Sequence, residues 1–140
     1  MEQNNEERAS AGWLKSTGFE GAIDTTAVDY RQSPTGNRGI TLFGIQAVTG
    51  GNFIGIQINF PRNVSLGPTP VPQPWPDEVE VAYFRQTSSG QRTSYRAKSG
   101  TLDLSAFDEQ QGSASGTYSV QADVDGTEHS FEGSFDIFTV

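Results

Sequence analysis

Ser99-Gly100-Thr101-Leu102-Asp103-Leu104, then Ser115-Gly116-Thr117-Tyr118-Ser119-Val120-Gln121-Ala122-Asp123-Val124, then Phe131-Glu132-Gly133-Ser134-Phe135-Asp136-Ile137: in all three segments apolar and polar side chains alternate. That alternation is the pattern of strands with one buried face. With a small Gly-containing turn opening each segment, the stretch reads as a β-meander. Asp125-Gly126 tolerates positive φ at both centre positions of a type I′ turn, which predicts a tight hairpin with Val124 facing Thr127. Stepping back by two sets Ala122 against His129, Val120 against Phe131, Tyr118 against Gly133 and Gly116 against Phe135. The large apolar groups then share one face. The other face carries Asp123 with Glu128, Ser119 with Glu132, and Thr117 with Ser134, and is wet. A glycine across from an aromatic lets the ring lie over bare backbone while the strand bends. A slip of one residue would expose Tyr118, Val120, Phe131 and Phe135 together, so this register is strongly specified.

Working outward, Val79, Val81 and Tyr83 alternate with Glu78, Glu80 and Ala82, and Phe84-Arg85 follow. Ser88-Ser89-Gly90 predicts a turn into a Thr93–Ala97 strand, and Asp108 to Gly112 joins the first two strands of the meander. Residues 61–76, Pro61 to Pro76, hold six of the seven prolines, so they predict an extended loop without helix or central strand. Before it, Phe53-Ile54-Gly55-Ile56-Gln57-Ile58-Asn59-Phe60 is a clean alternating strand that Pro61 ends. Gly50-Gly51-Asn52 predicts the hairpin joining it to a strand over Ile40–Val48, whose apolar residues on both sides suggest a central position. Phe19 to Tyr30 reads as a strand or bent strand pair, and Ser33 to Asn37 as a turn. Residues 1–11 read as a disordered polar tail and 12–140 as one β domain. The expected architecture is all-β: a single antiparallel β-sandwich or flattened β-barrel of about 8–9 strands with a C-terminal meander.

At 140 residues the chain can bury one sizeable core. It has no cysteine, which removes disulfides and thiolate metal sites, and one histidine, which leaves little for a transition-metal centre. Its net charge of −8 argues against nucleic acid and anionic membranes as partners. No apolar run is long enough to span a bilayer, and no charged and apolar leader of an export signal is present. The chain is therefore expected to be cytoplasmic, or to begin after a removed export signal with Met1 added. The polar opening Met1 to Arg8 reads as a spacer of the kind that follows a lipid anchor.

A Trp near the domain start, the Ile54–Phe60 strand leading to an irregular Pro/Gly loop, and the Ser99-Gly100-Thr101, Phe107-Asp108, Ser115-Gly116-Thr117-Tyr118-Ser119-Val120 and Gly133-Ser134-Phe135-Asp136-Ile137 runs resemble the DUF6252-type bacterial domains. These are known mostly as small predicted surface or periplasmic lipoproteins. The likeness spans 12–140 and rests mainly on the last 40 residues. It implies a periplasmic or cell-surface location and carries no catalytic residues. Gly12-Trp13 also has a likeness to the Gly-x-Trp start of lipocalins, but lacks the intervening residue, and no closing helix follows.

Trp75, held between prolines, is a candidate platform for a sugar ring or peptide, with Trp13, Tyr83, Phe84 and Tyr95 as candidate neighbours. The alternative is that Val71 and Trp75 pin the loop onto an open end of the core. His129 reads either as a histidine at the core rim or as a general base. Asp123-Val124-Asp125-Gly126-Thr127-Glu128 has part of a calcium loop but lacks its further ligands, and Asp125-Gly126 is already explained by the turn. Arg85, Arg92, Arg96 and Lys98 read as an acidic-partner contact or as edge-strand charges. The expected function is a non-enzymatic extracytoplasmic binding or interaction module without cofactor or metal. It would use loops around Trp75 and take a small ligand, glycan or protein. The alternatives are a lipocalin-like barrel carrying a small apolar ligand, and a hydrolase with a site involving His129.

Overall fold

Asp125 and Gly126 take φ of 54° and 81°, and the hairpin they close has the anticipated register throughout: Val124 pairs with Thr127, Val120 with Phe131, Tyr118 with Gly133 and Gly116 with Phe135. The computed structural model describes residues 9–18, 20–32, 39–74 and 78–140. Ten strands form among them: β1 (Ser10–Ser16), β2 (Ile23–Thr25), β3 (Val28–Gln32), β4 (Ile40–Ala47), β5 (Phe53–Phe60), β6 (Gly67–Pro70), β7 (Glu80–Gln86), β8 (Arg92–Asp108), β9 (Ser113–Val124) and β10 (Thr127–Thr139). They make one antiparallel sheet in the order β2-β1-β10-β9-β8-β7-β5-β4-β3, with β6 added alongside β8. The protein is all-β, a flattened barrel or sandwich whose ladder does not close.

The sheet folds on itself through β8. Arg92 to Arg96 pair with β7, and from Ala97 onward the same strand pairs with β9, with register shifts at Ala97/Ser99 and Leu104/Ala106. The Thr93–Ala97 and Ser99–Leu104 segments are therefore one strand. Lys98 is the extra residue of a bulge inside it, Ser99 and Gly100 resume the pairing opposite Gln121 and Val120, and Ser115-Gly116 lies within β9, so neither Ser-Gly pair is the turn that its composition suggests. Gly100, at φ 132°, can lie this close to β9 because it has no Cβ to strike Ser119 and Val120. The expected ring-over-glycine contact is present at Gly133, where an added Cβ would run into the Tyr118 ring.

The domain starts earlier than expected. Ser10 and Ala11, assigned to the tail, pair with Thr139 and Phe138. The Pro-rich loop stays extended but contributes β6, whose prolines are tolerable because the strand pairs on one side only. Val71 is buried, its N–H donating to the Gly100 carbonyl, so this part of the loop is pinned to the core. The Ser33–Asn37 turn, Phe19, Trp75 and the end of the Pro-rich loop at Pro76 lie outside the described residues.

The two ends of the ladder meet without strand pairing. Ser10 Oγ donates to Asp29 Oδ1 and accepts from the Tyr30 N–H, each at 2.9 Å. Thr25 Oγ1 donates to the Ile45 carbonyl at 2.8 Å, and the Gln46 side chain bridges the Asp24 N–H and the Ala22 carbonyl. Side chains thus take over the hydrogen bonding that a closed ladder would supply. Within the fold, Leu14, Leu42, Ile56, Leu102, Phe131 and Ile137 belong to one continuous buried cluster drawn from both halves.

Candidate functional site

At the end of the barrel where β7 finishes and the β9–β10 hairpin turns, aromatic rings of the inner wall meet charged groups. Tyr83 and Arg85 share a face of β7, and Tyr95 pairs with Tyr83 from β8. The Tyr83 ring stacks on Phe131 at 4.9 Å and lies 6.3 Å from Tyr95. Arg85 ties the end together. Its Nε meets Glu20 Oε1 at 3.0 Å, its Nη2 meets Asp125 Oδ2 at 3.0 Å, and its guanidinium sits 5.6 Å from the Tyr95 ring centroid. The Tyr83 hydroxyl donates to the same Glu20 oxygen. One cation thereby joins the β1–β2 connection, β7 and the hairpin turn.

Burial pushes the Glu20 carboxyl up, but hydrogen bonds from Arg85 and Tyr83 and the Arg85 charge outweigh it and hold the group below its usual 4.5. Burial and the bond to Glu20 push the Tyr83 hydroxyl up. Since the folded value of Glu20 lies below the unfolded one, its stabilisation is fully present above 4.5 and is lost as pH falls through the folded value. The resistance of the wild type to urea should therefore fall below that pH. Glu20→Gln should be less stable at pH 7 and show a shallower decline on acidification. Equal slopes for the two proteins would remove Glu20 from the network.

Of the residues singled out in the sequence, Tyr83 and Tyr95 meet at this end. His129, half-buried opposite Ala122, points to the same inner face beside the hairpin turn. Asp123 and Glu128, the carboxylates that the sequence offered it as partners, lie on the other face, where they hold Lys98 at 3.0 and 2.9 Å. Asp125 is engaged by Arg85, so the calcium-loop fragment is occupied by the protein's own cations. Among the described residues no group of three or more His, Asp or Glu gathers to hold a metal, and no helix is long and apolar enough to cross a membrane.

Trp13 does not join the others. It is 36% exposed on the outer face of β1, opposite Asp136, with the Lys15 ammonium 5.5 Å from its ring centroid. Trp75 lies outside the described residues. The base of its loop, the Gln73–Val79 bridge, sits at the start of β7, whereas Arg85 is near the other end. Phe84 faces away from Tyr83 and is fully buried on the outside of the sheet, where its ring covers Gly55 and Arg92 covers the ring at 4.0 Å. Three of the four clustered cations are ion-paired: Arg85 with Glu20 and Asp125, Arg96 with Glu80, and Lys98 with Asp123 and Glu128. The role of Glu20 was not visible in the sequence. It sits in an irregular connection with no periodicity to place it against Arg85. Comparison of the chain with protein-family models, with characterised proteins and with solved structures finds no match.

Proposed function

We propose that the chain is a non-enzymatic, extracytoplasmic binding module that takes a neutral, hydroxyl-rich ligand, such as a glycan, at the end formed by Tyr83, Tyr95, Arg85 and His129. The observation that carries this reading is the meeting there of stacked aromatic rings with the Arg85 hydrogen-bonding network, with Tyr95 and His129 half-buried rather than sealed. An amphipathic ring with a polar tip suits a sugar face bordered by hydroxyls. Glu20 and Asp125 against the single Arg85 leave an excess of negative charge, which disfavours an anionic ligand. The filled interior supports an end site over an internal one, since the core residues from Leu14 to Ile137 are at most 6% exposed. The extracytoplasmic part of the reading rests on the resemblance carried by the C-terminal strands.

The test is an NMR titration with neutral oligosaccharides, peptides and a fatty acid. Oligosaccharide should shift the amides of Tyr95, Asp125 and His129, and Tyr95→Ala should weaken binding about tenfold or more, with Tyr95→Phe nearer wild type. Shifts centred on Ile56 and Leu102 with fatty acid would favour an interior carrier instead. No response to any oligosaccharide would overturn the reading.

A further inference from the structure

On the outer face of β8-β7-β5-β4-β3 a second arrangement stands apart from the barrel end. Phe43 of β4 is half-buried, and two guanidinium groups lie over its ring: Arg31 from β3 at 5.2 Å and Arg92 from β8 at 5.5 Å from the centroid. Strand order puts β3 and β8 on opposite sides of β4, so the two cations converge from both flanks on one ring. Arg92 also lies 4.0 Å over Phe84. Its hydrogen bonds go to neutral acceptors, Gln86 Oε1 at 3.0 Å and Gln57 Oε1 at 3.4 Å.

This differs from the treatment of the neighbouring cations. Arg31, Arg62, Arg85, Arg96 and Lys98 each have a carboxylate within 4 Å. Arg92 has none among the described residues, although acidic residues outnumber basic ones by 17 to 9. Burial and the charge of Arg31 both lower its pKa, so the pair is held together against repulsion. A like-charge pair over an apolar platform concentrates positive potential in an otherwise acidic protein. Arg31 spends its Nε on Asp29 and keeps its terminal nitrogens for another acceptor.

The surroundings narrow the anion. Phe43 pairs across the strands with Gln57, and Phe53 with Gln86, so each half-buried ring has an amide beside it. Thr41 and Asn59 continue the polar row next to Gln57. An acidic peptide would need only the charges, whereas rings flanked by amides also match the C–H face and hydroxyls of a sugar. We infer that this face binds a uronic-acid saccharide: Arg31 and Arg92, seated over Phe43, take the carboxylate, the part of the ring that stays exposed takes the sugar's C–H face, and Gln57 and Gln86 take hydroxyls.

The probe is a galacturonic-acid oligomer, titrated at low ionic strength beside a neutral galactose oligomer and an oligoglutamate, with amide shifts as the readout. The uronate should shift Phe43, Gln57 and Arg92 and bind more weakly as salt rises. Arg31→Gln should lower affinity about tenfold. The Arg31 side chain is 62% exposed, so its replacement should leave the fold intact. Arg92→Lys keeps the charge but not the planar fork, and should lower affinity similarly. An absent uronate response, equal binding of oligoglutamate, or undiminished binding by Arg31→Gln would each overturn the inference. Shifts confined to Tyr95 and His129 would overturn it while leaving the barrel-end reading in place.

Discussion

Phe131→Ala is expected to lose about 4 kcal/mol of folding stability, near the upper end for a single core truncation. Phe131 is 1% exposed and stacks on Tyr83 at 4.9 Å, so its ring serves both the core and the polar end of the barrel. Removing it leaves a cavity between β10 and β7 that neighbouring strands cannot fill, because each is held in register on both sides. It also withdraws the surface against which Tyr83 is oriented toward Glu20. Urea unfolding followed by circular dichroism measures the loss. A value near 1 kcal/mol, the mean for an arbitrary substitution, would mean that the two sheet halves collapse onto each other more freely than the packing implies.

Gly55→Ala is expected to be nearly as damaging, about 3 kcal/mol, for the opposite reason. A single methyl added there would collide with the Phe84 ring and with the Gly44 carbonyl on the neighbouring strand. The ring could move, at the expense of its packing under Arg92, but the carbonyl belongs to the β4–β5 ladder and cannot. Introducing Phe84→Ala alongside should therefore recover part of the loss and not all of it, a non-additivity that a double-mutant cycle reads directly. Full additivity would show that Phe84 and Gly55 do not share this space.

These two positions show what was legible in the sequence. Phe131 could be placed from the residues alone, because an Asp-Gly turn fixes the pairing and a period of two then assigns every later side chain to a face. The same reasoning recovered Phe53–Phe60 as a strand with its bounds intact. It failed where the chain has no such anchor. Ser99-Gly100 has the composition of a turn, and only its pairing with β9, close against Gly100, shows it to be part of a continuous strand. The central position read from apolar residues on both sides of Ile40–Val48 does hold, since β4 is paired with both β3 and β5. What it did not show is that Phe43, on the outer side of that strand, is partly covered by two arginines, of which Arg92 comes from β8, distant in sequence. For the same reason Tyr83 and Tyr95, neighbours through one hairpin, could be grouped from sequence. Glu20 and Asp125 join them only through Arg85, over separations that no local pattern encodes.

The long strand β8 has a consequence for how the molecule comes apart. Its first residues complete the ladder on one side of the core and its later ones complete the ladder on the other. Opening either half would strip a run of β8 amides of their acceptors and expose the shared apolar cluster to water. There is no seam along which one half could melt while the other persists, so denaturation should be a single cooperative event. The amides of β8 should then exchange with solvent only through that event, the slowest in the protein together with those of β9.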